Sequence, residues 1–80
     1  MKYYLMRFIY SGNSGSVTGN WITGSTRKEA LDAAIKAFFT LCSTAANSTN
    51  EVDTVILMDQ TGVPIRMQKF QHDAQEEVTT

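Results

Sequence analysis

The 80-residue chain has a single cysteine, a single proline and a single histidine, and it has no long apolar run. Each shortage closes off a class of protein. Cys42 has no second cysteine to pair with inside the chain, which excludes a disulfide scaffold and suits a reducing compartment. One histidine, His72, and one cysteine cannot supply a structural zinc site, so no metal is expected. No segment approaches the roughly 18 apolar residues that a membrane-spanning helix needs. The apolar start is broken by Arg7 and no small-residue cleavage site follows, so no signal peptide is expected. A cytoplasmic location with no membrane partner follows as the expectation.

Charge of one sign is also missing. Seven basic residues against eight acidic ones give a net charge of −1 and a pI near 5.6. Asp73, Glu76 and Glu77 sit together near the C-terminus, and the basic residues are scattered over the rest of the chain. Nucleic-acid binding draws on clustered Lys and Arg that release counterions, so a nucleic acid is not an expected partner. Tyr4, Phe8 and Tyr10 with Arg66 could stack bases on a sheet, but the glycine- and aromatic-rich signature of RNA-binding sheets is absent.

Catalytic signatures are lacking as well. His72 lies beside Asp73 with no placed nucleophile, and Asp53 and Asp59 flank one strand at opposite ends. The Gly12–Gly15 segment has no Walker lysine and leads into a strand rather than a helix. Neither an enzyme nor a cofactor is expected.

What is present is a pattern of elements. Lys2 to Tyr10 is rich in Tyr, Phe, Ile and Leu and reads as a strand, with Tyr4, Met6, Phe8 and Tyr10 on one face and Tyr3, Leu5, Arg7 and Ile9 on the other. Ser11 to Ser16 reads as a longer polar loop, and Val17 to Thr23 as the second strand of a hairpin. Thr26-Arg27-Lys28-Glu29 is a capping box, and Leu31, Ala34, Ile35, Phe38, Leu41, Cys42 and Ala45 follow at helical spacing. Lys28 and Asp32, then Asp32 and Lys36, are spaced for exposed ion pairs. Ala30, Ala33 and Ala37 make a smooth opposite flank. Val52 to Met58 and Val63 to Phe70 read as two more strands around a turn at Asp59–Gly62, with Pro64 marking a sheet edge.

These elements specify an α+β domain over residues 1–71, arranged ββαββ, followed by a polar, flexible tail over residues 72–80. The helix returns across the sheet, so the simplest strand order is 2-1-3-4, all neighbours antiparallel, with the helix on one face. The first and third strands are apolar on both faces, whereas one helix covers only one. The surplus points to a homo-oligomer, a dimer foremost, or to another protein partner. Tyr3, Leu5, Ile9, Trp21 and Phe39 are the candidate interface residues. If the helix takes the other side, Tyr4, Met6, Phe8 and Tyr10 are exposed instead.

A second candidate lies at the helix start. Ser25, Thr26, Arg27 and Lys28 combine free amides, the positive end of the helix dipole and two basic side chains, a setting for a small anionic ligand, a nucleotide or a nucleic acid. A minor structural part in a larger assembly is a third reading.

The run from Lys2 to Tyr10, the Gly/Ser loop, the short strand and Ser25-Thr26-Arg27-Lys28-Glu29-Ala30 together resemble small proteins encoded by phages and mobile elements. The resemblance implies a non-catalytic accessory protein that acts by binding, such as an inhibitor of a host factor, and it carries over no site residues.

Overall fold

The helix is set by its first turn and by alanine. In a computed structural model that describes residues 1–72, α1 spans Arg27–Ala46, and the Thr26 hydroxyl accepts the Glu29 amide at 3.1 Å as its N-cap. Asn47 closes the other end, where both its backbone N–H and its side-chain amide donate to the Ser43 carbonyl. The residues facing the sheet are small. Ala30, Ala34 and Ala45 are fully buried, which lets the helix approach closely, and Phe38 is the one large plug it drives into the core. Ala30 therefore belongs to the buried stripe and not to the smooth flank expected from the sequence. Gly24 passes so near that a side chain there would collide with the backbone of Glu29 and Ala30. Leu31, Ile35, Leu41 and Cys42 flank the core half-buried.

Four strands complete the domain: β1 (Lys2–Ser11), β2 (Ser14–Thr23), β3 (Val52–Asp59) and β4 (Pro64–Gln71), in the order β2-β1-β3-β4 with every neighbour antiparallel. The expected ββαββ class, strand order and single helix on one face are all present. The first hairpin is tighter than its sequence suggests. Ser11 pairs with Ser14 across the two residues Gly12 and Asn13, and Gly12 takes φ +64°. A glycine with positive φ at the first central position suits a two-residue turn whose twist matches the strands. The polar stretch after Asn13 is thus strand, not loop, and β2 is three residues longer than expected. The β3–β4 turn is held by Asp59, whose carboxylate accepts from the Thr61 amide, the Thr61 hydroxyl and the Val63 amide, with Gly62 at φ +94°.

The core lies between α1 and the centre of the sheet, where Tyr3 and Leu5 of β1 meet Val55 and Leu57 of β3. An ion pair shares that face. The Arg7 guanidinium grips the Asp53 carboxylate with two hydrogen bonds of 2.7 and 2.8 Å, and the Ser48 hydroxyl donates to the same carboxylate at 2.9 Å. Asp53 is wholly enclosed. His72 follows β4, its amide donating to the Glu51 carbonyl and its ring lying 3.0 Å from the Ala45 carbonyl oxygen. The expected flexible tail falls, apart from His72, outside the described residues.

Candidate functional site

The strand register decides which side chains the helix leaves uncovered. Three rows cross the open face: Trp21, Tyr4 and Met58; then Gly19, Met6, Ile56 and Met67; then Val17, Phe8, Thr54 and Lys69. Trp21 is 52% exposed, Val17 56% and Met67 63%. No carboxylate lies in these rows, and the only charge within them is Lys69 at the β4 edge.

The aromatic side chains are arranged by glycines. The Tyr4 ring leans over Gly19 and takes the space that a β-carbon there would occupy, and the Phe8 ring lies against Gly15, 3.3 Å from where its β-carbon would sit. Tyr4 also meets Trp21 edge to face, with ring centres 5.0 Å apart. Lys2 places its ammonium 4.7 Å from the centre of the Trp21 ring. At this end of the face a hollow of about 300 Å³ is lined by Tyr4, Trp21, Met58 and the Asp59–Gly62 turn. A larger groove of about 470 Å³ runs on the opposite side of the sheet, between the Ala33–Thr44 flank of α1 and Asn20 of β2.

Of the candidate interface residues, Tyr3 and Leu5 are corrected by this geometry. They lie under α1 at 4% and 6% exposure, because the helix covers the face of β1 that carries Arg7. Ile9 points the same way and is half-buried. Trp21 is on the open face. Phe39 stands on the helix, 56% exposed, with its ring against Phe38 and beneath the Arg66 guanidinium. The set left outward on β1 is Tyr4, Met6, Phe8 and Tyr10, joined across the sheet by Val17, Ile56, Met58 and Met67. The signal that finds these partners is the period-two alternation within each strand, read together with the pairing register.

The helix-start residues Ser25, Thr26, Arg27 and Lys28 are all exposed. They do not converge. The Thr26 hydroxyl is engaged by Glu29, and Lys28 turns along the helix to Asp32 at 2.8 Å, which raises its pKa. Neither groove described above is lined by them.

Sequence reading missed the Arg7–Asp53 pair. The hydrogen bond from Arg7 holds the Asp53 carboxyl below its ordinary value, with Ser48 and Asn50 acting in the same direction against the cost of burial. The Ser48 hydroxyl in turn accepts from the Asn50 amide, tying the α1–β3 loop to the sheet. The fully engaged carboxylate reads as a structural clasp. Burial pushes the Cys42 thiol up, away from a reactive thiolate. Among the described residues, no group of three or more His, Cys, Asp or Glu is placed to hold a metal ion, and no helix is long and apolar enough to cross a membrane.

Comparison with protein-family models, with curated proteins and with solved structures finds no match to this chain. Its function must therefore be argued from its own surface chemistry.

Proposed function

We propose that this chain is a non-catalytic protein-binding module that self-associates through the open sheet face. The observation that carries the reading is the composition of that face. Aromatic, methionine and β-branched side chains fill it across all four strands, and the charges of Lys2 and Lys69 stand near its borders. Contiguous apolar patches of this kind mark interaction surfaces in soluble proteins, and methionine adapts to the shape of a partner.

A second copy is the occupant that the charge distribution favours. A four-stranded face roughly 19 Å wide and about 25 Å long projects about 475 Å², which is small beside the roughly 800 Å² per partner of a standard interface. A face of this size suits a reversible, concentration-dependent contact between copies. The two-fold arrangement sets apolar rows against apolar rows and leaves the lysines toward the rim, where water still solvates them. The resemblance to small phage and mobile-element proteins adds a host protein as an occupant that would compete for the same face.

Native mass spectrometry and light scattering across a concentration series test the proposal. Met6 lies at the middle of the face, so Met6→Glu should abolish association through this face and lower the mass of the assembly, while Lys36→Glu on the helix leaves it unchanged. Equal association of both variants with the unmodified chain would overturn the reading.

A further inference from the structure

The two edges of the sheet are built differently. On β4, Pro64 cannot donate a backbone hydrogen bond, Arg66 and Lys69 bring charge, and the register slips between Leu57 and Met58. Proline, charge and irregularity are the devices by which proteins keep a sheet edge from pairing with another chain. The β2 edge has none of them. Its ten residues include no charge and no proline, the pairing with β1 runs without a slip from Ser14 to Thr23, and all but Ile22 are exposed.

The direction of the free backbone groups on β2 follows from one hydrogen bond at the far side of the sheet. The His72 amide donates to the Glu51 carbonyl, so the odd residues of β3 bond to β4. Alternation along an antiparallel strand then turns even β3 residues, from Val52 to Met58, toward β1. Their partners on β1 are Tyr10, Phe8, Met6 and Tyr4, which leaves the odd residues of β1 to bond β2 through Ile22, Asn20, Thr18, Ser16 and Ser14. The N–H and C=O groups of Gly15, Val17, Gly19, Trp21 and Thr23 accordingly point away from the sheet. The two-residue turn at Gly12–Asn13 requires the same phase, since the residues flanking such a turn form a hydrogen-bonded pair.

We infer that β2 is a strand-pairing site whose occupant is β2 of a second copy, joined antiparallel about a two-fold axis at Gly19. Symmetric pairing brings each strand against itself, so it requires a strand with no like charges to oppose, and β2 meets that condition along its whole length. The outward phase restricts the register to odd residues facing odd residues. With Gly19 opposite its symmetry mate, Val17 faces Trp21 of the other copy on both sides of the axis, pairing a β-branched residue with an aromatic. Roughly ten backbone hydrogen bonds close the joint. The product is one continuous eight-stranded sheet with both helices on the same side. This contact runs along the strand edge, meets the face proposed above only at Val17 and Trp21 on its border, and leaves the rest of that face open.

Residue-resolved amide hydrogen exchange on the unmodified chain, at low and high protein concentration, tests the inference. The expected result is protection that alternates along β2. The even amides are protected at every concentration, and those of Val17, Gly19 and Trp21 slow by at least about tenfold when copies associate. Rapid exchange of these odd amides in a sample shown to be dimeric would overturn the inference, as would a monomer throughout. A double variant, Ser16→Glu with Asn20→Glu, supplies a second reading. Both side chains lie on the helix side of β2 and touch no row of the open face, yet four carboxylates then crowd the joint. Loss of the odd-amide protection is the expected outcome, and its persistence in this variant would also overturn the inference.

Discussion

The ring of Tyr4 occupies the space above Gly19 where any other residue would place its β-carbon. Phe8 packs against Gly15 further along the strand, close to where a β-carbon would sit without filling that space. The glycines of β2 are thus covered by aromatic rings from β1, which keeps apolar area over backbone that would otherwise face water. The same placement holds Tyr4 against Trp21.

Gly19→Ala should therefore act on the aromatic pair more than on the fold. The new methyl group collides with the hydroxyl end of Tyr4, and the ring must swing away about its side-chain bonds. The strand gains roughly 0.5–1 kcal/mol from replacing glycine, and losing the edge-to-face contact costs about 0.5–1.5 kcal/mol. Net stability should move by no more than about 1 kcal/mol. Trp21, the single tryptophan, reports the change directly. Its fluorescence should shift in Gly19→Ala and in Tyr4→Ala alike, with the urea midpoint of Gly19→Ala nearly constant.

The Arg7–Asp53 clasp yields a prediction with a pH signature. Asp53 is fully buried and its pKa is lowered by Arg7. A carboxylate whose folded pKa lies below its unfolded value stabilises the fold above the unfolded pKa, and that stability fades as pH drops through the folded one. Unfolding free energy should thus fall as pH passes below the ordinary value of 3.8. Asp59, lowered by Thr61, acts in the same window. Asp53→Ala strands the guanidinium of Arg7 against the core and should cost about 3–5 kcal/mol near neutral pH. Asp53→Asn should flatten the acid limb of a urea-unfolding series, and Asp59→Asn should remove only the remainder. An unchanged acid limb in the Asp53→Asn variant would show that the clasp carries no linkage.

Two adjacent phenylalanines separate packing from surface. Phe38 is 4% exposed and fills the space between α1 and the sheet. Phe38→Ala should cost about 3–5 kcal/mol through lost burial and the cavity left behind. Phe39 is 56% exposed and touches only the margin, beside Phe38 and under Arg66. Phe39→Ala should cost less than about 1 kcal/mol. Thermal melts of the two variants decide whether the helix is anchored by one ring or by both.

These cases also show where sequence reading succeeds and where it stops. Thr26 and Glu29 mark the helix start because capping is local, and Pro64 marks an edge because it cannot donate to a neighbour. The strand order follows from chain direction and the length of the helix. The buried face of β1 was not legible, because Tyr3, Leu5 and Ile9 on one side match Tyr4, Met6 and Phe8 on the other in apolar character. Arg7 argues for exposure until Asp53, 46 residues away, supplies its partner. The turn at Gly12–Asn13 was hidden among small polar residues that serve equally in loops and in edge strands. Reading that segment as loop also concealed the phase of β2, and with it the direction of the free backbone groups.

The proposed face and edge contacts, each two-fold, predict a particular assembly. Copies joined through β2 present two open faces side by side on one surface of an extended sheet. Stacking two such pairs through those faces closes a four-chain sandwich with the helices outside and no apolar face left over. Association should then proceed through dimer to tetramer and stop. Met6→Glu blocks the stacking step and should halt the chain as an edge-paired dimer, recognised by protection of the Val17, Gly19 and Trp21 amides. Ser16→Glu with Asn20→Glu blocks pairing and should halt it as a face-stacked dimer in which those amides exchange freely. Combining all three substitutions should give a monomer. Native mass spectrometry of the four proteins at matched concentration reads the whole scheme. A tetramer that survives either set of substitutions would mean that the chain associates through a surface other than its open face and its unguarded edge.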